Sequence, residues 1–256
     1  MGALHDGHAS LIRVAANHNP TVVATIFVNP LQFGPTEDLD AYPRDLDGDR
    51  SVAQAAGATL LFVPTPEEMY PFGPQQVLTT VLVRALTNGL DGAHRPGHFD
   101  GVATVVAKLF AIAGPCRAYF GEKDFQQLAV VRRMALDLSF PVEVIGCPIV
   151  REHNGLAMSS RNRYLSVDQR TRAAVLHRAL LAGAALIGDG EYRSETICAL
   201  MASVLAEEPL VVVEYAAAVD ASTLVAGPVL KGDVRLLVAA WIGPARLIDN
   251  IGVRVA

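Results

Sequence analysis

Met1-Gly2-Ala3-Leu4-His5-Asp6-Gly7-His8 sets two imidazoles three residues apart around a glycine. A helix that opens near Asp6 or Gly7 presents free backbone N–H groups and the positive end of its dipole, which together make an anion site. Gly7 lets a phosphate approach the backbone, and His5 and His8, one turn apart, can direct ring N–H groups at it. The same residues also fit a surface turn whose histidines only cap a helix. A phosphate-binding turn of this kind is normally fed by a strand. No such strand precedes it in this sequence, so the reading expects a parallel sheet whose first strand is missing.

Downstream, helical and strand patterns alternate through the first two-thirds of the chain, which predicts a parallel sheet with crossover helices. After a helix over 7–17, the stretch Thr21 to Phe27 has few polar residues, as expected of a strand covered on both faces. A helix over 45–56 leads to a strand at 59–63, and 77–83 reads as another strand. Val102, Val105, Val106, Leu109 and Phe110 follow amphipathic helical spacing. A short strand at 117–120 is then followed by a helix with Leu128, Val131, Ala135 and Leu138 on one face. Strands at 142–145 and 148–151 close this unit. Beyond about Val150 the pattern changes. Ser166-Val167-Asp168-Gln169 has the form of a capping box and predicts a long helix towards Leu186. A second helix carries Ile197, Leu200, Met201, Val204 and Leu205, and strands follow at 210–219, 234–242 and 246–251. The fold class is therefore α/β: a Rossmann-like doubly wound parallel sheet over 1–149 and a smaller α+β domain over 150–256.

With 51% hydrophobic and 18% charged residues the chain is compact, and disorder is excluded as its general state. Its net charge of -5, with dispersed basic residues, argues against an extended nucleic-acid partner while leaving room for a local basic pocket. Cys116, Cys147 and Cys198 share no metal or redox spacing and read as buried thiols of a reduced, cytoplasmic protein. No apolar run is long enough for a membrane span, and a signal peptide is not expected.

Four further segments carry polar groups at turns. Asn29 and Gln32 follow the end of a strand, where open parallel sheets bind ligands, though an ordinary Asn-Pro turn explains them as well. Gly121-Glu122-Lys123-Asp124 ends the next strand; Lys123 can neutralise phosphate charge and Gly121 gives backbone access, although exposed Lys and Glu are commonplace. Met158-Ser159-Ser160-Arg161 offers hydroxyls and a planar guanidinium to nucleotide phosphates, or else a serine-rich cap. Arg95 and His98 lie in a loop ahead of an apolar helix.

In this order the segments resemble the paired signatures of the class I nucleotidylyl-transfer superfamily, and within it the pantothenate synthetases. The resemblance runs from Met1 to the C-terminus and includes Arg246-Leu247-Ile248-Asp249-Asn250-Ile251. It implies that ATP activates pantoate as a pantoyl adenylate, which β-alanine then attacks, releasing AMP. Alignment and charge stabilisation carry most of such a reaction. By resemblance, Met1, Gly2, Ala3, Leu4, His5, Asp6, Gly7 and His8 belong to the ATP site. His8 is expected as a proton donor, and both histidines chiefly as hydrogen-bond donors to the α-phosphate. Gly121, Glu122, Lys123, Asp124 and the Val150 backbone would line the nucleotide. Met158, Ser159, Ser160 and Arg161 would grip its phosphates from a lid domain, with Lys123 and Arg161 joining the histidines as catalytic groups. Gln32 and Gln127 would hold pantoate, with Gln32 also near β-alanine. Mg²⁺ is implied with ATP, with no ligands assigned, as is a homodimer. Asp91 stands where the resemblance leads one to expect the longer Glu. Another nucleotidylyltransferase, or a truncated inactive nucleotide-binding homologue, is the alternative reading. An aminoacyl-tRNA synthetase is disfavoured for want of room and positive charge.

Overall fold

The computed structural model describes residues 2–35 and 37–255; Met1, expected in the ATP site, lies outside them. The chain forms two compact units. The first takes the chain up to Asn88, then Gly92–Glu122 and Gln126–Pro148; the second takes Gly89–Asp91, Lys123–Phe125 and everything from Ile149 onward.

The first unit is built on α1 (Asp6–His18), β1 (Val23–Thr25), α2 (Leu46–Ala55), β2 (Leu60–Phe62) and the short helices α3 (Pro66–Met69) and α4 (Asp91–His94). It continues with α5 (His98–Ala113), β3 (Cys116–Gly121), α6 (Phe125–Asp137) and β4 (Val142–Cys147). β1 pairs with β2 and β3 with β4, both in parallel, with Val23 opposite Leu60 and Cys116 opposite Val142. Among the described residues the two pairs are separate ladders. α1 packs onto β1 through Ala9, Ile12 and Ala15, with Tyr119 of β3 against the same cluster. α5 is buried on most of its surface, as its apolar sequence requires, and packs with Met69, Tyr70, Val131 and Met134. Gly101 is indispensable there: a β-carbon would sit 2.2 Å from the Leu31 carbonyl oxygen.

The second unit has helices α7 (Val167–Arg172), α8 (Val175–Gly188) and α9 (Ser194–Ala206). Its antiparallel sheet is ordered β5 (Val211–Asp220), β6 (Gly232–Ile242), β7 (Ala245–Val255). Leu176, Leu180, Ile197, Met201 and Leu236 form its core. A β-bulge between Val213 and Tyr215 gives Glu214 a place outside the regular register, which re-aims its side chain.

Several sequence expectations need correction. The stretch 77–83 forms no strand: the Val81 amide donates to the Thr104 hydroxyl at 3.0 Å, and Leu78 is fully exposed. Nor does 148–151, where Arg151 makes a single bridge to Ala157 and the Val150 carbonyl accepts from the Met158 amide at 2.9 Å. The Ser166–Gln169 capping box forms, but the long helix breaks at Ala173–Ala174. Restarting at Val175 turns Ala173, Val175 and Leu176 together into the core. Leu138 falls beyond the end of α6 and is exposed. β1 is shorter than its apolar run, because only three residues find ladder partners on β2.

Candidate active site

The histidine turn is held from below by a residue whose role the sequence did not reveal. Asp49, buried in the first turn of α2, accepts the Ala3 amide at 3.0 Å and the Leu4 amide at 2.5 Å, one on each carboxylate oxygen. Two backbone donors on one carboxylate fix the approach to α1 and satisfy a charge that would otherwise be costly to bury. Ala3 is held in the left-handed region at φ 49°, and a β-carbon on Gly2 would press on Val28 at 3.2 Å. The legible signal was positional. Asp49 stands in line with Ala53 and Ala56 on the buried face of α2, where an acid needs a partner.

His5 caps α1, its Nδ1 accepting the Gly7 amide at 3.1 Å. An accepting Nδ1 carries no proton, so the neutral ring has its N–H at Nε2. The His5 and His8 rings lie 4.1 Å apart between centroids, so both imidazoles converge on the N-terminal end of one helix. Cap and catalytic turn are therefore compatible uses of the same residues.

A second polar cluster surrounds the 3₁₀ turn Pro30–Gln32. Asn29 is buried, and its amide donates to Gln32 Oε1 (3.2 Å) and the Gly101 carbonyl (3.1 Å). It also accepts from the Tyr70 hydroxyl at 2.7 Å, and burial pushes the Tyr70 phenol up to about 12. Asn29 thus supports Gln32 from within the fold. His98 and Arg95 do the same from the other side. Arg95 Nη1 approaches His98 Nε2 at 2.9 Å and His98 Nδ1 approaches the Gln32 carbonyl at 2.8 Å. Because arginine only donates and a carbonyl only accepts, His98 is fixed as the neutral Nδ1–H tautomer. Arg95 also grips both Glu37 oxygens, at 2.8 and 2.6 Å. Burial raises the Glu37 pKa, but the Arg95 hydrogen bond and charge outweigh it and hold the carboxyl below its ordinary value. Gln127, the other residue expected to hold pantoate, is half-buried in the first turn of α6. Gly121 closes β3 with open space where a β-carbon would project, which leaves its backbone approachable, and Glu122 follows it.

In the second unit, Lys123 and Asp124 form an ion pair at 3.1 Å. The expected nucleotide residues Val150 and Met158 are joined by the backbone bond described above. Ser159 caps the 3₁₀ helix Ser160–Tyr164, its hydroxyl oxygen accepting the Arg161 amide at 3.3 Å while its own O–H remains able to donate. Ser160 is buried, and Arg161 is half-buried. Asn162 anchors the turn by donating to Glu152 (2.8 Å) and the Ala157 carbonyl (3.1 Å). Among the described residues no group of three His, Cys, Asp or Glu side chains converges as a metal site, and no helix is long and apolar enough to cross a membrane.

Parallel strands between helices, with paired histidines at the N-terminus of the first helix, mark the first unit as a nucleotidylyl-transfer fold. Residues 1–252 match the family model of pantoate-beta-alanine ligase, and the chain belongs to that family. The pantothenate synthetase of Acidobacterium capsulatum is 54% identical over 251 residues, covering 98% of this chain and 83% of that protein. A pantothenate synthetase structure from Thermus thermophilus superposes with a TM-score of 0.93 at 52% identity, covering 98% of this chain and 90% of that one. A pantoate-beta-alanine ligase from Francisella tularensis, complexed with beta-gamma ATP and beta-alanine, gives a TM-score of 0.79 at 32% identity, covering 98% of this chain and 86% of that one.

Proposed function

We propose that the chain performs its family's reaction, the ATP-dependent condensation of pantoate with β-alanine to pantothenate. The observation that carries this reading is the α1 N-terminus, where two imidazoles share one helix end with the positive end of the dipole. A pantoate carboxylate oxygen attacks the α-phosphorus of ATP and pyrophosphate leaves, giving pantoyl adenylate. The β-alanine amine then attacks the activated carbonyl, forming the amide bond as AMP departs and the amine loses its proton. His5 and His8 donate to the α-phosphate as charge builds on its oxygens, which is where fixed donors contribute most. Gly2, Ala3, Leu4, Asp6 and Gly7 hold the nucleotide by the approach to α1, and Gly121 and Glu122 line it.

Gln32, buttressed by Asn29, Arg95 and His98, orients pantoate and faces β-alanine, and Gln127 holds pantoate from α6. Lys123, Asp124, the Val150 backbone, Met158, Ser159, Ser160 and Arg161 also bind the nucleotide, with the Lys123 and Arg161 cations on its phosphates. Mg²⁺ suits this chemistry as an ion carried by the nucleotide phosphates and water, a mode that needs at most one or two protein carboxylates. We assign the working form to a cytoplasmic homodimer. A reducing compartment suits its three free thiols, all pushed up by burial, Cys147 also by the Glu122 charge.

The test is AMP formation by the purified protein with ATP, Mg²⁺, pantoate and β-alanine. Steady AMP release is expected only when all three substrates are present. Steady pyrophosphate release without β-alanine, with no AMP set free, would point instead to a simple adenylyl transfer.

A further inference from the structure

The C-terminal segment Arg246 to Ile251 stood out in the sequence, yet none of its residues has a part in the reaction just described. Its position in β7 assigns it one. Asp249 and Asn250, consecutive on the strand, point to opposite faces, and both are almost wholly buried, at 2% and 1% exposure. On one face Asp249 takes both Arg151 nitrogens, at 2.6 and 3.0 Å. Its Oδ1 also accepts the Asn250 amide at 2.7 Å, which fixes the peptide between the two.

On the other face, Asn250 Nδ2 donates to the Lys123 carbonyl at 2.8 Å, and its Oδ1 accepts from Arg235 Nε at 2.6 Å. The amide cannot be reversed, because the carbonyl has no proton to give and the guanidinium no lone pair to receive one. The Arg235 guanidinium lies 4.0 Å over the Phe125 ring, clamping the chain two residues beyond Lys123. Opposite Arg235 in the ladder stands Gly252, where a β-carbon would sit 2.9 Å from the guanidinium. Glycine at that position leaves the space that the guanidinium occupies. The turn between β3 and α6 is thus held at the Lys123 carbonyl and at the Phe125 ring, by a buried amide and a buried cation on adjacent strands.

We propose that Asn250 is a positioning residue for Lys123: by fixing the main chain at that residue, it sets the point from which the ammonium reaches the ATP phosphates. This rests on the assignment of Lys123 to ATP made above. An amide is required because one short side chain must donate to a carbonyl and accept from a guanidinium at once.

The experiment is a double-mutant cycle on the full chain between Asn250→Asp and Lys123→Ala, with single-turnover adenylate formation from ATP and pantoate as the readout. Asn250→Asp keeps the shape and the acceptor for Arg235 but sets a carboxylate oxygen against the Lys123 carbonyl. In the native background it should slow adenylate formation about 10- to 100-fold, the scale of a small misplacement of a reacting group. The apparent KM for ATP should rise and that for β-alanine stay unchanged. In the Lys123→Ala background the same substitution should have almost no further effect. An equal loss in both backgrounds would make Asn250 merely structural and overturn the proposal, as would a near-native rate for the single variant. A native rate for Lys123→Ala alone would instead remove the underlying assignment of Lys123. Should Asn250→Asp fail to fold, Asn250→Ala takes its place in the cycle with the same expectations.

Discussion

His8→Ala lowers the rate of adenylate formation by about 10²- to 10³-fold, the loss typical of removing one donor aimed at developing charge, while the fold is kept. His8 is only half-buried and lies in the first turn of the helix, so its loss opens no large cavity in the core. His5 is a less clean probe. Its Nδ1 also caps α1, so His5→Ala removes a cap at a cost of about 1 kcal/mol in addition to any catalytic loss. His8→Gln, which retains a neutral donor, should recover part of the rate. Single-turnover kinetics with a thermal melt on each variant makes the comparison, and a near-native rate for His8→Ala would refute its role.

The largest effect on stability is expected at Arg246. Its guanidinium meets Asp91 at 2.6 Å and also binds Glu214, and all three side chains are at most 15% exposed. The Tyr215 hydroxyl donates to Asp91 at 3.1 Å, and burial followed by the Asp91 charge holds that phenol far above its ordinary range. Burial lowers the Arg246 pKa, but its bonds to Glu214 and Asp91 outweigh this and raise it overall. Arg246→Met leaves two buried carboxylates facing each other without a cation, which costs about 3–5 kcal/mol. Denaturant unfolding should show the loss at neutral pH. A deficit under about 1 kcal/mol, typical of an exposed pair, would contradict this account. Asp91, shorter than the Glu expected there, still meets Arg246 at 2.6 Å and the Tyr215 hydroxyl at 3.1 Å.

What the sequence disclosed and what it hid divide along physical lines. Periodic elements were legible, because α1, α5 and α9 each bury a face whose spacing is written locally. The histidine turn was legible for the same reason, since His5, Gly7 and His8 lie within one turn at the start of α1. Asp49 was not, because its partners are backbone amides 45 and 46 residues away. The apparent strand at 77–83 misled because alternating valines also suit an extended segment lying on a helix, where a threonine hydroxyl can replace a ladder partner. Lys123 was flagged, but its tie to Asn250 spans 127 positions and runs through a main-chain carbonyl, which leaves no trace in residue type.

Adenylation requires that a carboxylate oxygen of pantoate bond to the α-phosphorus of ATP. Pantoate labelled with ¹⁸O in its carboxylate, turned over with ATP and β-alanine and analysed by mass spectrometry, decides this. One label should appear in the phosphate of AMP and the other in the amide carbonyl of pantothenate. Unlabelled AMP, with the missing label in pyrophosphate or inorganic phosphate, would contradict it.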